Sequence, residues 1–575
     1  MNKLHSKYIS LFAFSILSFC TLNATELQSN QADSVLRREM LLEAEYNPII
    51  RDANKVNTLP KVKEPTPVKA NATYSNQAIT INPQPEVLLL EAEHFGTEDM
   101  LYDKKGYLTL GGGNFLNLRG AAGYEILNTQ NDYLRLSFSH YSTNGNVNYL
   151  ENDEKVKAKL NDNLFNADYK HRFENFNLNT GANYKYTGFN YYGYMPFQPD
   201  NVEKMQVHQK INPHLSIQST HDGSVHYQVF IGYKYFMKKW GDDMDNNGIK
   251  ENDVSASLNV SKLWNNARIG LAADAHNFIY QKGRNDIELG NYSTFGFIPY
   301  YQLKSEANDW LLKIGARADL ATKGKNKFNI SPDVLAELDV YNGTWLYLSA
   351  TGGRNINSFA ASSEVNRYVS PNNRIADSHT LIDSKLGIRS SALSNWFFNA
   401  FFGYKKTNDE HFYSRNHSLM MDFPNAFGVG YYDKFNQMQA GGQIAFNYRE
   451  KVNLSVKLVK NFFNTELSDG FGYSVSNPIN LPDLELNTNI EVGILPQLKA
   501  NVGFEWQHNR YGIDSYFDTY KMKDVQNLML GANYAFNKSF SLYLQLNNLL
   551  NRKYEYWYSY PEQGLNAIAG FSFMF

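Results

Sequence analysis

Cysteine, long apolar runs and net charge are all scarce in this sequence of 575 residues. The one cysteine is Cys20, so a disulfide scaffold and a cysteine-ligated metal site are excluded. Beyond the N-terminus no stretch approaches the roughly 18 consecutive apolar residues of a membrane-spanning helix, which excludes a helical membrane protein. The 55 Lys and Arg nearly balance the 57 Asp and Glu, so electrostatics gives no reason to expect a nucleic-acid partner.

Aromatic residues, by contrast, are abundant. They make up 15% of the chain, with 40 Tyr and 37 Phe, although the mean hydropathy of -0.49 is polar. A strand of a transmembrane β-barrel shows lipid only every second side chain, so such a protein is polar on average and still presents an apolar belt edged by aromatic rings. The composition therefore favours a barrel of this kind.

The N-terminus predicts a secretory signal peptide. Two lysines precede an apolar stretch that ends at Leu22, and small residues follow it. We expect residues 1–24 to be removed by cleavage after Ala24. The alternative is a lipoprotein leader acylated at Cys20, but bulky Phe19 stands where such leaders need a small residue.

Residues 25–105 show little sustained alternation of polar and apolar side chains. Pro60, Pro65 and Pro67 favour extended backbone. We predict that this segment is a short periplasmic tail or linker.

From Gly106 to Phe575 the hydrophobic period is two, which indicates β-strands. The apolar set of one stretch alternates strictly with a polar set; its members are Leu484, Leu486, Ile490, Val492 and Ile494 against Glu485, Asn487, Asn489 and Glu491. The strand candidates run about ten to fourteen residues, long enough for a tilted crossing of a bilayer. We predict an all-β fold: a closed antiparallel transmembrane barrel over residues 106–575, with about 22 strands in a range of 18–26. Apolar side chains would face lipid, and Asn, Gln, Ser and Gly would line the lumen. Gly111–Gly113 suits a close or bent backbone at the seam, and a plain glycine turn explains the same residues equally well.

Short and long connections alternate along this region. The long ones are predicted at Asn357–Thr380 and Asn408–Ala426, and in barrels of this class long loops face outside while tight turns face the periplasm. The short connections are Thr129–Asp132, His221–Ser224, Asn265–Asn266, Asn342–Gly343 and Asn537–Ser539.

The end of the chain carries a family resemblance. Leu565–Phe575 alternates with an apolar face and ends on an aromatic residue, which resembles the signal that the barrel-assembly machinery of the outer membrane recognises. Just upstream, Leu546–Tyr554 and Tyr560–Gly564 resemble the carboxy-terminal end of TonB-dependent receptors. The resemblance implies a Gram-negative outer-membrane barrel that takes up or binds a solute at the cell surface.

The same resemblance implies partners: outer-membrane lipid, the assembly machinery acting on the strand that ends at Phe575, and a partner lipoprotein or TonB. Only about eighty residues separate Ala24 from the first strand, fewer than the plug of these receptors needs. No clear TonB box is visible in the sequence, and Asp33–Leu36 is only a weak candidate for one. Glu43–Pro60 resembles tails of plugless relatives in Bacteroidetes-like genomes. A plugless passive channel and a non-transporting scaffold barrel therefore stay open as alternatives.

Asp243–Gly248 has the alternating oxygen ligands and the glycine with which calcium loops of the EF-hand type begin. The position of the bidentate carboxylate is occupied by Val254. A polar turn explains the same residues, so calcium binding is left open.

Two short motifs contain the residue types of a serine hydrolase, but neither is a triad as written. His140 and Ser142 would share a strand face without a carboxylate beside them, whereas in Ser219–Asp222 the aspartate points away from the serine and histidine. The basic run Lys155–Lys159 is predicted to lie in an outside loop, where such a cluster could hold lipopolysaccharide phosphates; a solvated mixed-charge loop is the simpler interpretation. We therefore predict no enzyme and no catalytic, cofactor-binding or metal-ligating residue.

Overall fold

The computed structural model describes residues 104–195, 204–220, 225–241, 248–281, 290–324, 326–371, 373, 375–415, 423, 425–449, 451–467, 478–513 and 518–575. The predicted signal peptide, nearly all of the predicted tail, and Asp243 with most of the calcium-like motif lie outside these residues. The signal peptide, the tail and the calcium site thus remain predictions.

Nearly all of the described regular structure is β-strand. One short helix, α1 (Phe359–Val365), and a 3-10 turn at Asn114–Leu116 are the exceptions within the described residues. The strands are β1 (Gly106–Gly113), β2 (Leu118–Asn128), β3 (Asp132–Asn148), β4 (Lys155–Arg172), β5 (Phe176–Asn190), β6 (Met205–Ser219), β7 (Val225–Lys238), β8 (Lys250–Trp264), β9 (Ala267–Gln281), β10 (Tyr292–Lys304), β11 (Trp310–Ala321), β12 (Phe328–Tyr341), β13 (Thr344–Asn355), β14 (Ser378–Ser390), β15 (Trp396–Arg415), β16 (Phe427–Tyr448), β17 (Val452–Leu467), β18 (Leu484–Leu495), β19 (Leu498–His508), β20 (Tyr511–Ile513), β21 (Thr519–Lys521), β22 (Val525–Ala535), β23 (Phe540–Asn547), β24 (Glu555–Trp557), β25 (Tyr560–Pro561) and β26 (Asn566–Met574).

Twenty-two of these strands form one closed antiparallel barrel, as the periodicity predicts. The remaining four, β20 with β21 and β24 with β25, make two small ribbons in connections. The barrel closes where β1 pairs with β26, from Tyr107 opposite Met574 to Gly113 opposite Ile568. A side chain at Gly113 would clash with the carbonyl oxygen of Ala567 on β26, so the seam needs the glycine there.

The outward face of the wall is apolar. Leu544 on β23 is 41% exposed, whereas its neighbour Gln545 is 6% exposed on the opposite face. Cross-strand pairing places Val502 opposite Leu530 and Leu544 opposite Ala569, all on the outward face. The prediction that these apolar sets share one face is therefore confirmed.

The inner face of β9–β14 carries ion pairs as well as the expected amides and hydroxyls. Arg317 lies 2.9 Å from Asp274 and 2.8 Å from Asp319. Further along the wall, Lys313 pairs with Asp333 at 2.6 Å and Arg389 pairs with Glu337 at 2.9 Å. The sequence prediction of an amide, serine and glycine lining missed these charges.

The two ends of the barrel differ. At the end that holds both Gly106 and Phe575, which we call the turn side, connections between strands are two to five residues long. At the other end, the loop side, they reach 22 residues in the β13–β14 connection, residues 356–377. The predicted short connections at Thr129–Asp132, Asn265–Asn266, Asn342–Gly343 and Asn537–Ser539 fall on the turn side, whereas His221–Ser224 lies outside the described residues.

Two boundaries predicted from the sequence are wrong. Residues 408–415 continue β15 up to Arg415, so the long loop predicted at Asn408–Ala426 is shorter. Lys155–Lys159 begins β4 and is not a loop, because it pairs with Asn144–Asn148 of β3. In both cases polar strand ends extend beyond the apolar belt, and polar residues there resemble loop sequence. No helix among the described residues is long and apolar enough to cross a membrane.

Candidate functional site at the loop-side opening

The loop-side opening of the barrel is occupied by one cluster of buried aromatic residues, which we call the mouth cluster. Its members come from connections far apart in the chain and from the loop-side ends of the strands next to them. They include Tyr149, Phe189, Tyr191, Tyr192, Tyr368, Phe423, Phe427, Tyr554, Tyr556, Trp557 and Tyr560. Loops that start on opposite parts of the circle therefore meet over the lumen.

Ring contacts hold the mouth cluster together. Tyr560 stacks on Tyr368 with ring centroids 3.9 Å apart and meets Tyr192 edge-on at 5.0 Å. Trp557 is 1% exposed and contacts Phe427 edge-on at 5.9 Å. Aromatic pairs in these geometries each contribute about 0.5–1.5 kcal/mol beyond the burial of their surface.

Three buried cations tie the loops to the wall. Lys238 at the end of β7 donates to the carbonyl oxygen of Val369. Arg415 at the end of β15 donates to the hydroxyl of Ser559 at 2.6 Å and to the carbonyl oxygen of Tyr194. Arg510 donates to the carbonyl oxygens of Glu555 and Tyr556. Hydrogen bonds from charged donors are about twice as strong as neutral ones, so these contacts fix the loop backbone.

Glu555 lies beside two of these cations, in the connection between β23 and β26. Its carboxylate accepts from the backbone N–H of Ser559 at 2.7 Å. Burial raises the pKa of Glu555 to about 8, and the negative charge of Glu151 adds to the shift, while Arg510 and Arg415 oppose it. The carboxyl of Glu555 therefore keeps its proton to a higher pH than an ordinary glutamate does.

The β13–β14 connection folds back under the mouth cluster as helix α1. The side chain of Ser358 caps the helix by accepting from the backbone N–H of Ala361 at 3.1 Å. Glu251 on the wall accepts from the backbone N–H of Phe359 at 2.7 Å, which anchors the helix start to β8. These contacts place the side chains of α1 against the lumen wall.

A charged recess lies between α1 and the inner face of β4–β7. It has a volume of about 50 Å³ and is lined by Asp162, Lys185, His208, Lys210 and Arg367, among others. Lys210 pairs with a carboxylate of α1, Glu364, and Lys185 lies 3.9 Å from Asp162. The Nε2 atom of buried His208 has no hydrogen-bond partner among the described residues. The recess thus offers cationic and donor groups to an anionic ligand.

The sequence-derived site motifs are placed elsewhere. His140 and Ser142 lie on the outward face of β3, and Ser219 bonds to His226 at 2.8 Å, while His221 lies outside the described residues. Within the described ranges, no group of three or more His, Cys, Asp or Glu side chains is placed to hold a metal ion. Sequence reasoning identified the residue 357–380 loop but missed Arg415, Arg510 and the recess. The sequence feature that could have indicated this site is the segment Tyr554–Tyr560, in which five of the seven residues are aromatic.

Neither a protein-family model nor a curated protein sequence matches the chain. Solved structures do match it. The ferric enterobactin receptor PfeA of Pseudomonas aeruginosa superposes with a TM-score of 0.63 at 12% identity, over 82% of this chain and 80% of that one. The FrpB iron transporter of Neisseria meningitidis gives 0.64 at 10% identity over 83% and 84%. FpvA of P. aeruginosa, bound to pyoverdines, gives 0.57 at 13% over 82% and 72%.

These likenesses show the fold: the closed 22-stranded barrel of TonB-dependent receptors. The resemblance that the carboxy-terminal residues indicate is thereby confirmed at the level of architecture. At 10–13% identity the solutes of those proteins are not carried over to this chain.

Proposed function

We propose that this protein is an outer-membrane receptor that binds a solute at its loop-side opening for uptake. The observation that carries the proposal is the mouth cluster: long loops from across the barrel are packed together over the lumen and held by buried cations. A receptor needs such an ordered outer surface, whereas an open porin needs a free passage. The matching solved structures include receptors and transporters, which supports the same role.

The charged recess favours an anionic solute. Lys185, Lys210 and Arg367 line it together with the buried imidazole of His208, and the cations outnumber the carboxylates of Asp162 and Glu364. A low-dielectric wall strengthens the attraction of such groups for an anion. Helix α1 and the β13–β14 connection would have to shift for a solute to reach the recess from outside.

Binding can be tested with inorganic phosphate, an anion small enough for a recess of about 50 Å³. We expect isothermal titration calorimetry on the refolded protein to detect binding, and we expect the Lys185→Gln, Lys210→Gln double variant to bind about tenfold or more weakly. The matched control is Lys170→Gln, an exposed lysine at the turn side. Equal binding by the double variant and by wild type would rule out the recess as the anion site.

A passive channel and a receptor with a closed opening predict different ionic conductances. We expect the full chain in a planar bilayer to show no steady large conductance, because the mouth cluster occupies the opening. A parallel measurement on protein lacking residues 25–103 tests whether the predicted tail contributes to closure. A stable open pore in the full chain would refute the receptor proposal and favour a channel.

A further inference from the structure

Four polar side chains form a hydrogen-bonded row on the outward face of β3 and β4. In the strand register His140 lies opposite Asn163, and Ser142 lies opposite Asn161. The hydroxyl of Ser142 is 3.0 Å from Nε2 of His140, and Nδ1 of His140 is 2.8 Å from Oδ1 of Asn163. The amide nitrogen of Asn163 in turn donates to Oδ1 of Asn161 at 2.8 Å.

The direction of these hydrogen bonds follows from the amide orientations of Asn161 and Asn163. Because Asn161 accepts from the amide nitrogen of Asn163, the oxygen of Asn163 faces His140 and can only accept. Nδ1 of His140 therefore carries the proton, and Nε2 presents its lone pair to the hydroxyl of Ser142. This is the tautomer in which a histidine acts as general base towards a serine while a third group orients its ring.

The position of the row on the barrel limits what can reach it. Phe138 and Phe165, 44% and 41% exposed, pair with each other one step towards the turn side on the same face. On the other side of the row, Asn144 and Lys159 begin the polar loop-side rim. The row thus lies at the upper edge of the apolar belt, where the polar linkages of outer-leaflet lipids meet the protein.

We propose that Ser142, His140 and Asn163 form an esterase site on the lipid-facing surface, acting on an acyl ester bond of a membrane lipid. Ser142 and His140 are the catalytic residues, and Asn163 is a positioning residue. The site is separate from the loop-side opening, so the proposal does not depend on the receptor function.

The chemistry balances with water as the only co-reactant. The oxygen of Ser142 attacks the ester carbonyl carbon while its proton passes to Nε2 of His140. The bond from that carbon to the alcohol oxygen breaks, and His140 returns the proton to this oxygen, which releases the lyso-lipid. Water then attacks the acyl-serine and gives a proton to His140; the bond to Ser142 breaks, the serine regains a proton, and the fatty acid leaves.

A second serine and histidine pair provides an internal comparison. Ser331 and His379 are 3.0 Å apart, but both are buried on the inner wall, where a lipid cannot reach them. A reagent with a long alkyl chain should therefore distinguish the outward pair from the inward one.

The first experiment is labelling of the folded full chain in phospholipid vesicles with an alkyl fluorophosphonate, with the site mapped by mass spectrometry. We expect an adduct on Ser142 and none on Ser331. The adduct should disappear in Ser142→Ala, and its rate should fall about 10²–10⁴-fold in His140→Ala. Ser139→Ala, on the opposite face of the same strand, should label as wild type does. No adduct on Ser142 in folded wild-type protein, or an unchanged rate in His140→Ala, overturns the proposal.

The second experiment identifies the lipid and tests the positioning role. Vesicles of phosphatidylethanolamine and vesicles containing lipopolysaccharide are incubated separately with the protein, and released fatty acid is measured. Release from either one, lost in Ser142→Ala, supports the proposal and identifies the lipid; release from neither overturns it. Asn163→Ala should slow release at least about tenfold, and Asn163→Asp should restore it because a carboxylate also accepts from Nδ1. Heat-modifiable migration confirms that each variant is folded, and failure of Asn163→Asp to rescue would contradict the positioning role.

Discussion

The wall of the barrel and its loop-side opening direct apolar side chains in opposite directions. Along β22, β23 and β26 the leucines and phenylalanines point outward, and amides and hydroxyls point to the lumen. At the loop-side opening the aromatic rings turn inward and pack on one another. The difference shows that the medium beside each surface, lipid or water, decides which face is apolar, while the backbone stays the same.

Substitutions that prevent closure of the barrel wall should have the largest effect on assembly of the protein. Replacing Phe571, Phe573 and Phe575 with serine removes the apolar face of β26, the strand that pairs with both β1 and β23. Each large side chain contributes roughly 1.5–3 kcal/mol of burial, and unpaired strand edges in hydrocarbon cost several kcal/mol more per polar group. We expect export across the inner membrane but no insertion, with protease-sensitive protein in the periplasm.

Ser572→Ala on the lumen side of the same strand is the control and should assemble normally. If the triple variant reached the outer membrane in normal amount as a heat-modifiable species, β26 would not have the closing role that the pairing suggests.

The contrast also explains which parts of the structure could be predicted from the sequence alone. The wall follows from strict alternation, which is local, so the 22 strands and most turns could be predicted. The mouth cluster joins Tyr192, Tyr368 and Tyr560, whose contacts depend on how the whole circle closes. The contact between Asn163 and His140 could not be predicted from the sequence for the same reason. The sequence motif offers no carboxylate near His140, and the side chain that bonds to His140 is placed opposite it by the register of the next strand.

A charged side chain on the outward face tests whether that face contacts lipid. We expect Leu544→Arg to destabilise the barrel by about 2–4 kcal/mol, because the guanidinium would lie in hydrocarbon. Gln545, the neighbouring residue on the lumen face, is buried and accepts from Arg119 at 3.0 Å, so it is a poor control.

Asn489→Arg is the better control, because that side chain is exposed on the lumen face. The measurement is urea unfolding of both variants in lipid vesicles. Equal stability of the two would contradict the assignment of the outward face.

Removing a contact that holds the loops tests the inward packing of the aromatic residues at the loop-side opening. Arg510→Ala removes the donor to two carbonyl oxygens of the final connection, and we expect the mouth cluster to open more easily by about 2–3 kcal/mol. Trp557 should then become accessible to acrylamide, with Trp557→Phe identifying its share of the signal from seven tryptophans. Arg552→Ala, an exposed arginine in the same connection, should leave quenching unchanged. Equal quenching in both arginine variants would show that Arg510 does not hold the loop.

The last effect expected is a pH dependence of the same opening, carried mainly by Glu555. Its pKa is about 8 in the packed state against an ordinary value of 4.5, so the packed state binds the extra proton between these two values. The free energy of opening should therefore fall as pH rises through this window, by at most about 1.4 kcal/mol per pH unit, and level off above pH 8. Acrylamide quenching of Trp557 should increase from pH 6 to pH 9 in wild type. In Glu555→Gln, which keeps an oxygen to accept from Ser559 but cannot titrate, the curve should be shallower and should level off near pH 7, because burial raises the pKa of Glu562 in the same connection to about 7. If the variant kept the wild-type slope, another group would set the pH response of the mouth cluster.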